Sequence, residues 1–200
     1  GTRRAAARRR GRAGEAVSVG PDHLIVTPVV VPLLIGALLL LVERVAPRAQ
    51  AALGIASTAA LALIAVALVG RVESGAGGAY LLGNWAAPFG IALALDRLSA
   101  MMLALTAAIA LPALLAALDG WAGRAPHFHA FFQFQLAGLN GAFLTADLFN
   151  LFVFFEVLLM SSYALLLHAA DGRALKAGFH YVVVNLVGSS LFLVAAGMIY

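Results

Sequence analysis

The sequence predicts an all-α protein that crosses a membrane several times. Hydrophobic residues make up 63% of its 200 positions and charged residues only 11%, with a mean hydropathy of +0.98. Soluble domains usually carry about 25% charged residues. The apolar residues also fall into runs of about 20, the length that a helix needs to cross a bilayer. We therefore predict a polytopic membrane protein with about six transmembrane helices.

Residues 1–20 differ in composition from the rest of the chain. They are rich in Arg, Ala and Gly, and six of the 13 basic residues lie in the first twelve positions. Such a segment has too little apolar surface to fold, so it is predicted to be a disordered basic tail, which need not be native. A polybasic membrane anchor is the alternative. Without these six arginines, acidic residues outnumber basic ones, so the net charge of +4 does not indicate nucleic-acid binding.

Residues 21–127 are predicted to form a three-helix region. Its apolar runs are residues 24–42, 51–69 and 98–118. Pro28 and Pro32 are expected in the first turns of the first helix, where proline costs less than in a helix interior.

The segment 71–97 in this region is predicted to form a small β-hairpin at the membrane surface. It contains five glycines and one proline, and two short apolar stretches surround the central turn residues. Tyr80 and Trp85 are expected at the level of the lipid headgroups, where aromatic side chains collect. Asp96 is expected to cap the third helix.

Residues 128–200 are predicted to hold the last three helices, over 128–145, 148–167 and 178–200. Only Ala146 and Asp147 separate the fourth helix from the fifth, so the two helices must lie antiparallel. Asp147 is predicted to cap the fifth helix, and a role where ions enter the membrane is the alternative.

Glu156 is the strongest candidate for a functional residue. It is the ninth residue of an apolar run that begins at Leu148, which places it near the membrane midplane. An acid at that depth costs about 2.5–3.5 kcal/mol on the insertion scale and is usually functional. Glu156 is therefore predicted to be a buried, protonatable residue of an ion path. A structural carboxylate bonded to a neighbouring helix is the alternative.

Three further polar residues are candidates for the same path. Gln133 and Asn140 are seven positions apart, so they share one face of the fourth helix. His180, near the start of the sixth helix, has an imidazole that can exchange protons near neutral pH. The alternatives are hydrogen bonds between helices for the two amides and an interfacial position for the histidine.

No catalytic, metal or cofactor site is predicted. The chain has no cysteine, and His127 and His129 have no third ligand near them in the sequence. It contains no glycine-rich phosphate loop, nucleophile elbow or His-Glu-x-x-His run. The sequence therefore does not support a soluble-type catalytic site.

The residues around Glu156 carry a family resemblance. Residues 140–159 read Asn-Gly-Ala-Phe-Leu-Thr-Ala-Asp-Leu-Phe-Asn-Leu-Phe-Val-Phe-Phe-Glu-Val-Leu-Leu. This run resembles the D subunit of the multisubunit Mrp-type cation/proton antiporters, relatives of the antiporter-like membrane subunits of respiratory complex I. The pattern Gly-Asn-Trp at 83–85, Pro88, Gly-Ile at 90–91 and Asp-Arg-Leu-Ser at 96–99 is similar to the family's hairpin and third helix.

The resemblance covers roughly residues 21–200 and implies a specific mechanism. The family's fifth-helix glutamate corresponds to Glu156, and in the family that acid works with a lysine on the seventh helix. Family members have about fourteen helices arranged as inverted repeats. The chain is therefore expected to be the N-terminal part of a longer subunit, with the ion-translocating repeat beginning at residue 128.

Three functions follow as hypotheses. The first is a membrane subunit of a multisubunit monovalent cation (Na⁺)/proton antiporter in the cell membrane, with other subunits, lipid, protons and monovalent cations as partners. The alternative is a proton-pumping membrane subunit of a complex I-like NADH:quinone oxidoreductase or membrane hydrogenase. The third is a membrane scaffold without transport activity.

Overall fold

The computed structural model describes residues 18–19, 23–42, 47–82, 90–124, 126–168, 170 and 172–199. Within these ranges the elements are β1 (Ser18–Val19), α1 (His23–Val42), α2 (Pro47–Glu73), β2 (Gly78–Leu81), β3 (Ala92–Leu95), α3 (Arg97–Ala117), α4 (Phe128–Leu144), α5 (Leu148–Leu166) and α6 (Gly172–Ile199). The predicted fold class, helices with one small hairpin, is confirmed.

Each of the six described helices falls on a predicted span. Five of them, all but α4, are long and apolar enough to cross a membrane by length and composition. The 17 residues of α4 give a length of about 26 Å, near the lower limit for a spanning helix. This helix packs against α1, α2, α3 and α5, so it lies at the centre of the bundle.

Pro28 and Pro32 lie inside α1, which begins at His23, so the expectation that they escape the cost of a helix interior is wrong. A proline has no N–H to donate to the carbonyl four residues earlier, which leaves Leu24 O and Pro28 O without their usual partners. The hydroxyl of Thr27 donates to Leu24 O at 2.7 Å, and Asn140 Nδ2 on α4 donates to Pro28 O at 2.9 Å. Both freed carbonyls are therefore hydrogen-bonded.

The predicted hairpin is present. Strands β2 and β3 pair antiparallel, with Gly78 opposite Leu95 at one end of the ladder. The turn between them, including Trp85, lies outside the described residues. Leu93 and Leu95 are buried in the core against α1, α2 and α3, and the Tyr80 hydroxyl lies 3.2 Å from His23 Nδ1. One face of the hairpin therefore packs against the helices.

A third strand comes from the segment that was expected to be disordered. Ser18 pairs with Gly78 and Val19 with Ala79, so that β1 runs parallel to β2 on its free edge. A strand edge carries unpaired N–H and C=O groups, which a neighbouring segment can satisfy. The other residues of the tail, 1–17 and 20, lie outside the described ones.

The hairpin also holds the turn between α4 and α5. The N–H of Ala146 donates to Ala92 O at 3.0 Å, and Thr145 forms a β-bridge with Leu93. These bonds position the chain where it enters α5, the helix that carries Glu156.

Two glycines let α4 and α5 approach closely. A Cβ on Gly138 would lie 2.6 Å from the backbone nitrogen of Leu158, and a Cβ on Gly141 would clash with the ring of Phe154. Gly138 meets Leu158 and Gly141 meets Phe154, so residue numbers fall along α5 as they rise along α4. The two helices are therefore antiparallel, as the short connection predicts.

The last helix packs mainly against α5. Tyr181 lies edge-on to Tyr163 with ring centres 5.8 Å apart, and Phe192 stacks on Phe152 at 6.4 Å. The opposite side of α6 is exposed in the part of the protein that the structure describes.

We expect Gly138→Ala to destabilise the protein by about 1–3 kcal/mol, because the new methyl group overlaps the backbone of α5. Thermal unfolding of the intact protein in detergent measures the effect. Gly70→Ala on α2 is the matched control, since its Cβ meets nothing within 4 Å and Ala favours a helix by about 1 kcal/mol. A Gly138→Ala protein as stable as the wild type would contradict the close contact.

We expect Asp96→Ala to cost about 1 kcal/mol through loss of the α3 N-cap. The backbone N–H of Ser99 donates to the Asp96 carboxylate at 2.7 Å and lowers the pKa of that carboxyl below its ordinary 3.8. The cap therefore contributes fully above pH 3.8 and weakens as the pH falls through the lower folded value.

Asp96→Asn tests the contribution of the negative charge alone, because Asn caps a helix as well as Asp does but does not titrate. Its stability at neutral pH should match that of the wild type. Melting curves at pH 7 and below pH 4 should show the wild type losing stability relative to Asp96→Asn. Parallel losses in both proteins would rule out the charged cap.

Candidate functional site

Glu156 lies in the middle of α5. The helix begins after Asp147, whose carboxylate accepts from the N–H of Asn150 at 3.0 Å, so Asp147 has N-cap geometry. Glu156 is partly buried, and its Oε1 is inaccessible to solvent yet has no hydrogen-bond partner among the described residues. An unpaired buried carboxylate oxygen is costly, so this atom is available for a proton or a partner group.

The carboxylate borders an open groove of about 370 Å³ on the side of the α4–α5 pair. Phe131 and Phe134 of α4 form one wall, and Val157, Met160 and Ser161 of α5 form the other. The Ser161 hydroxyl already donates to Val157 O within its own helix. The groove is therefore apolar, and no basic side chain lines it among the residues that the structure describes.

Gln133 is fully buried in a hydrogen-bonded network between α4 and α2. Its Nε2 donates to Gly54 O and to Thr58 Oγ1, both at 3.1 Å, and its Oε1 accepts from Ser57 Oγ at 2.9 Å. This arrangement matches the alternative in which the amide joins two helices. The network faces α2 and not the groove beside Glu156.

Asn140 lies on the same side of α4, as its seven-residue spacing from Gln133 predicted. Its Nδ2 donates to the carbonyl of Pro28 on α1, and its Oδ1 is buried without a hydrogen-bond partner in the described residues. The two amides therefore share one face of α4, and the structure does not bring that face to Glu156.

His180 is exposed on α6, and its Nδ1 donates to Lys176 O at 2.9 Å. His168 follows α5 and is buried, with its ring 5.3 Å from Phe128 and its Nε2 donating to Trp121 O at 3.3 Å. Neither histidine is hydrogen-bonded to Glu156. Within the described ranges no group of three or more His, Cys, Asp or Glu residues could hold a metal ion.

Sequence reasoning missed the partners of the two amides. The hydroxyls of Ser57 and Thr58 lie in a run of small residues and gave no signal of their own. The sequence did contain a signal for the bond from Asn140 to Pro28. Pro32 lies four positions after Pro28 and has no N–H to donate to the Pro28 carbonyl, so that carbonyl needs another donor.

The described helices, the apolar spans and the acid within α5 define a class: a multi-pass membrane protein with a carboxylate in the middle of one apolar helix. Residues 145–200 match the family described as NADH:quinone oxidoreductase/Mrp antiporter, TM.

Several antiporter subunits are similar to this chain. It is 47% identical to the D subunit of a probable K⁺/H⁺ antiporter from Rhizobium meliloti, over 90% of the chain and 34% of that protein. It is 36% identical to the D subunit of the Na⁺/H⁺ antiporter from Alkalihalophilus pseudofirmus, over 90% and 36%. These matches confirm the resemblance to the D subunits of Mrp-type antiporters. The chain spans about a third of the length of these relatives.

The fold comparison agrees with this result. A chain in the structure of the Mrp complex from Dietzia sp. DQ12-45-1b superposes with a TM-score of 0.78 and 32% identity, over 86% of this chain and 33% of that one.

We expect Gln133→Leu to destabilise the intact protein by about 1 kcal/mol, because Ser57 and Thr58 lose their partner inside the membrane. Thermal unfolding in detergent measures the loss. Gln135→Leu is a control on the same helix, since the Oε1 of that amide has no partner to lose among the described residues. Equal melting of the Gln133→Leu protein and the wild type would show that the network contributes nothing.

Proposed function

We propose that this chain forms part of a membrane subunit of a multisubunit monovalent cation/proton antiporter, with Glu156 in the proton path. The observation that carries the proposal is the buried Oε1 of Glu156, which has no partner among the described residues and belongs to a side chain that borders an open groove in the middle of α5. The similarity to the D subunits of Mrp-type antiporters supports it.

The mechanism rests on the switchable charge of Glu156. A carboxyl group can hold either a proton or a negative charge, and a cation brought close to it favours the charged form. Moving one cationic partner toward or away from the groove therefore makes Glu156 release or take a proton. The groove is open on its outer side, so a further helix can bring such a partner within reach.

Helices α4, α5 and α6 are proposed as the start of the ion-translocating repeat. His180 on α6 is proposed as a second residue of the path, and its side chain is exposed among the described residues. Gln133 and Asn140 support the path indirectly by holding α4 in place. Asp147 positions the start of α5 and lies near the membrane surface, where ions enter.

We propose Na⁺ as the exchanged cation, in the cell membrane, with other antiporter subunits as partners. One similar protein is named for Na⁺/H⁺ exchange and another for K⁺/H⁺ exchange. The Glu156 groove by itself favours no particular monovalent cation, because its walls supply few oxygen ligands.

The second candidate is a proton-pumping membrane subunit of a complex I-like oxidoreductase or membrane hydrogenase. The matching family description covers NADH:quinone oxidoreductases as well as Mrp antiporters. In that case Glu156 has the same proton-binding role, and redox chemistry on other subunits drives it.

We expect Glu156→Gln to abolish cation/proton antiport while leaving assembly intact, because the amide has the size of the acid but cannot change charge. Antiport is measured in everted membrane vesicles by the collapse of a preformed pH gradient when Na⁺ or K⁺ is added. Assembly is checked by purifying the complex.

Glu73→Gln is the matched control, since Glu73 is an exposed acid at the end of α2. Full antiport in Glu156→Gln would refute the role of the acid. A wild-type complex that moves protons only when a redox substrate is supplied would favour the second candidate.

A further inference from the structure

A small cavity lies inside the bundle formed by α1, α2, α3 and α4, apart from the Glu156 groove. Its volume is about 10 Å³. Its polar lining consists of Thr58, Thr106 and Asn140, and the remaining walls are Pro28 and the aliphatic side chains of α2, α3 and α4. A water molecule needs about 10–15 Å³ and two to four polar partners, so the cavity has room for one.

Asn140 presents an unsatisfied acceptor in this region. The side chain is only 4% exposed, and its Oδ1 has no partner among the described residues. The orientation of the amide is determined by chemistry, because Pro28 O can only accept and must therefore face the NH₂ group. The other atom, Oδ1, is left as an acceptor without a donor in the part of the chain that the structure describes.

Thr106 offers a second acceptor on α3. Its hydroxyl donates to Met102 O at 2.8 Å in its own helix, so the hydroxyl hydrogen is used and the oxygen lone pairs can still accept. Thr106 is only 8% exposed. Thr106 and Asn140 line the same cavity, and a water molecule has two O–H groups with which it can donate to both acceptors.

We propose that this cavity binds one water molecule, which donates one hydrogen bond to Asn140 Oδ1 and the other to Thr106 Oγ1. No charged side chain lines the cavity among the described residues, so a neutral occupant fits better than a cation, which would need more oxygen ligands. The water links α3 to α4, while the other end of the same amide links α4 to α1.

A double-mutant cycle on the intact protein tests the water. Thr106→Val removes the acceptor at constant shape, and Asn140→Leu removes the other. The two side chains share no direct hydrogen bond, so coupling between them comes either from a bridging water or from repacking of the cavity that both line, and the Thr106→Ser control below separates the two. We expect Thr106→Val to lower the Tm in the wild-type background and to have little effect in Asn140→Leu.

Two control variants separate the effect of losing the bridging water from the effect of changed side-chain packing. Thr106→Ser keeps the hydroxyl and should show no coupling to Asn140→Leu. Ser161→Ala removes a buried hydroxyl that also donates to the carbonyl four residues earlier, but on α5, and its effect should be additive. Additive effects of Thr106→Val and Asn140→Leu would overturn the proposal.

Direct imaging gives an answer even if Asn140→Leu does not fold. A cryo-EM map of the intact wild-type protein, at a resolution that shows ordered water, should contain one peak between Asn140 and Thr106 that disappears in Thr106→Val. No peak would refute the proposal. If the cryo-EM peak or the coupling energy is lost when choline replaces Na⁺, the occupant is a cation. That result would also overturn the proposal.

Discussion

The hydrogen bond from Asn140 to the carbonyl of Pro28 satisfies a constraint on which the N-terminal bundle depends. A bilayer offers no water to a free backbone group, so each such group needs a partner within the protein. Pro32 removes the donor that Pro28 O would have in an ordinary helix, and α4 supplies a replacement from outside α1. The bond requires α1 and α4 to lie side by side. The Gln133 network joins α2 to the same helix, and α4 in turn supports α5 through Gly138.

The buried polar groups of the protein therefore divide into two kinds. Gln133 has its hydrogen-bonding groups satisfied by α2, which makes it a rigid connection between helices. Glu156 has a buried oxygen without a partner among the described residues and borders an open groove. A satisfied amide holds one geometry, whereas an unsatisfied acid can change its charge when its surroundings change. The Gln133 network and the groove beside Glu156 lie on different sides of α4, so the network can hold α4 in place without occupying the groove.

Much of the fold was predictable because bilayer length and hydropathy act on each segment separately. The six helices, the hairpin and the cap geometry of Asp147 all follow from local patterns. The position of Glu156 in the middle of α5 also follows from counting residues along one helix. The partners of Gln133 and Asn140 did not follow, since a shared helix face does not tell which neighbouring helix covers it. The cost of the α1 prolines was misjudged, because the sequence located the start of the helix within one residue but did not show that α4 supplies a donor to the carbonyl that Pro32 frees.

By itself the sequence determined that this protein spans a membrane, that it carries an acid inside an apolar run long enough to form one of the spans and that it resembles the D subunits of Mrp-type antiporters. These are properties of single segments, and the cost of exposing polar groups to lipid makes them readable. Only the tertiary structure decided that the amides of α4 face α1 and α2 while Glu156 faces an open groove. It also decided that Ser18 and Val19 add a strand to the hairpin. Those outcomes depend on which helices and strands meet, because a hydrogen bond between segments forms only where packing brings both partners within reach.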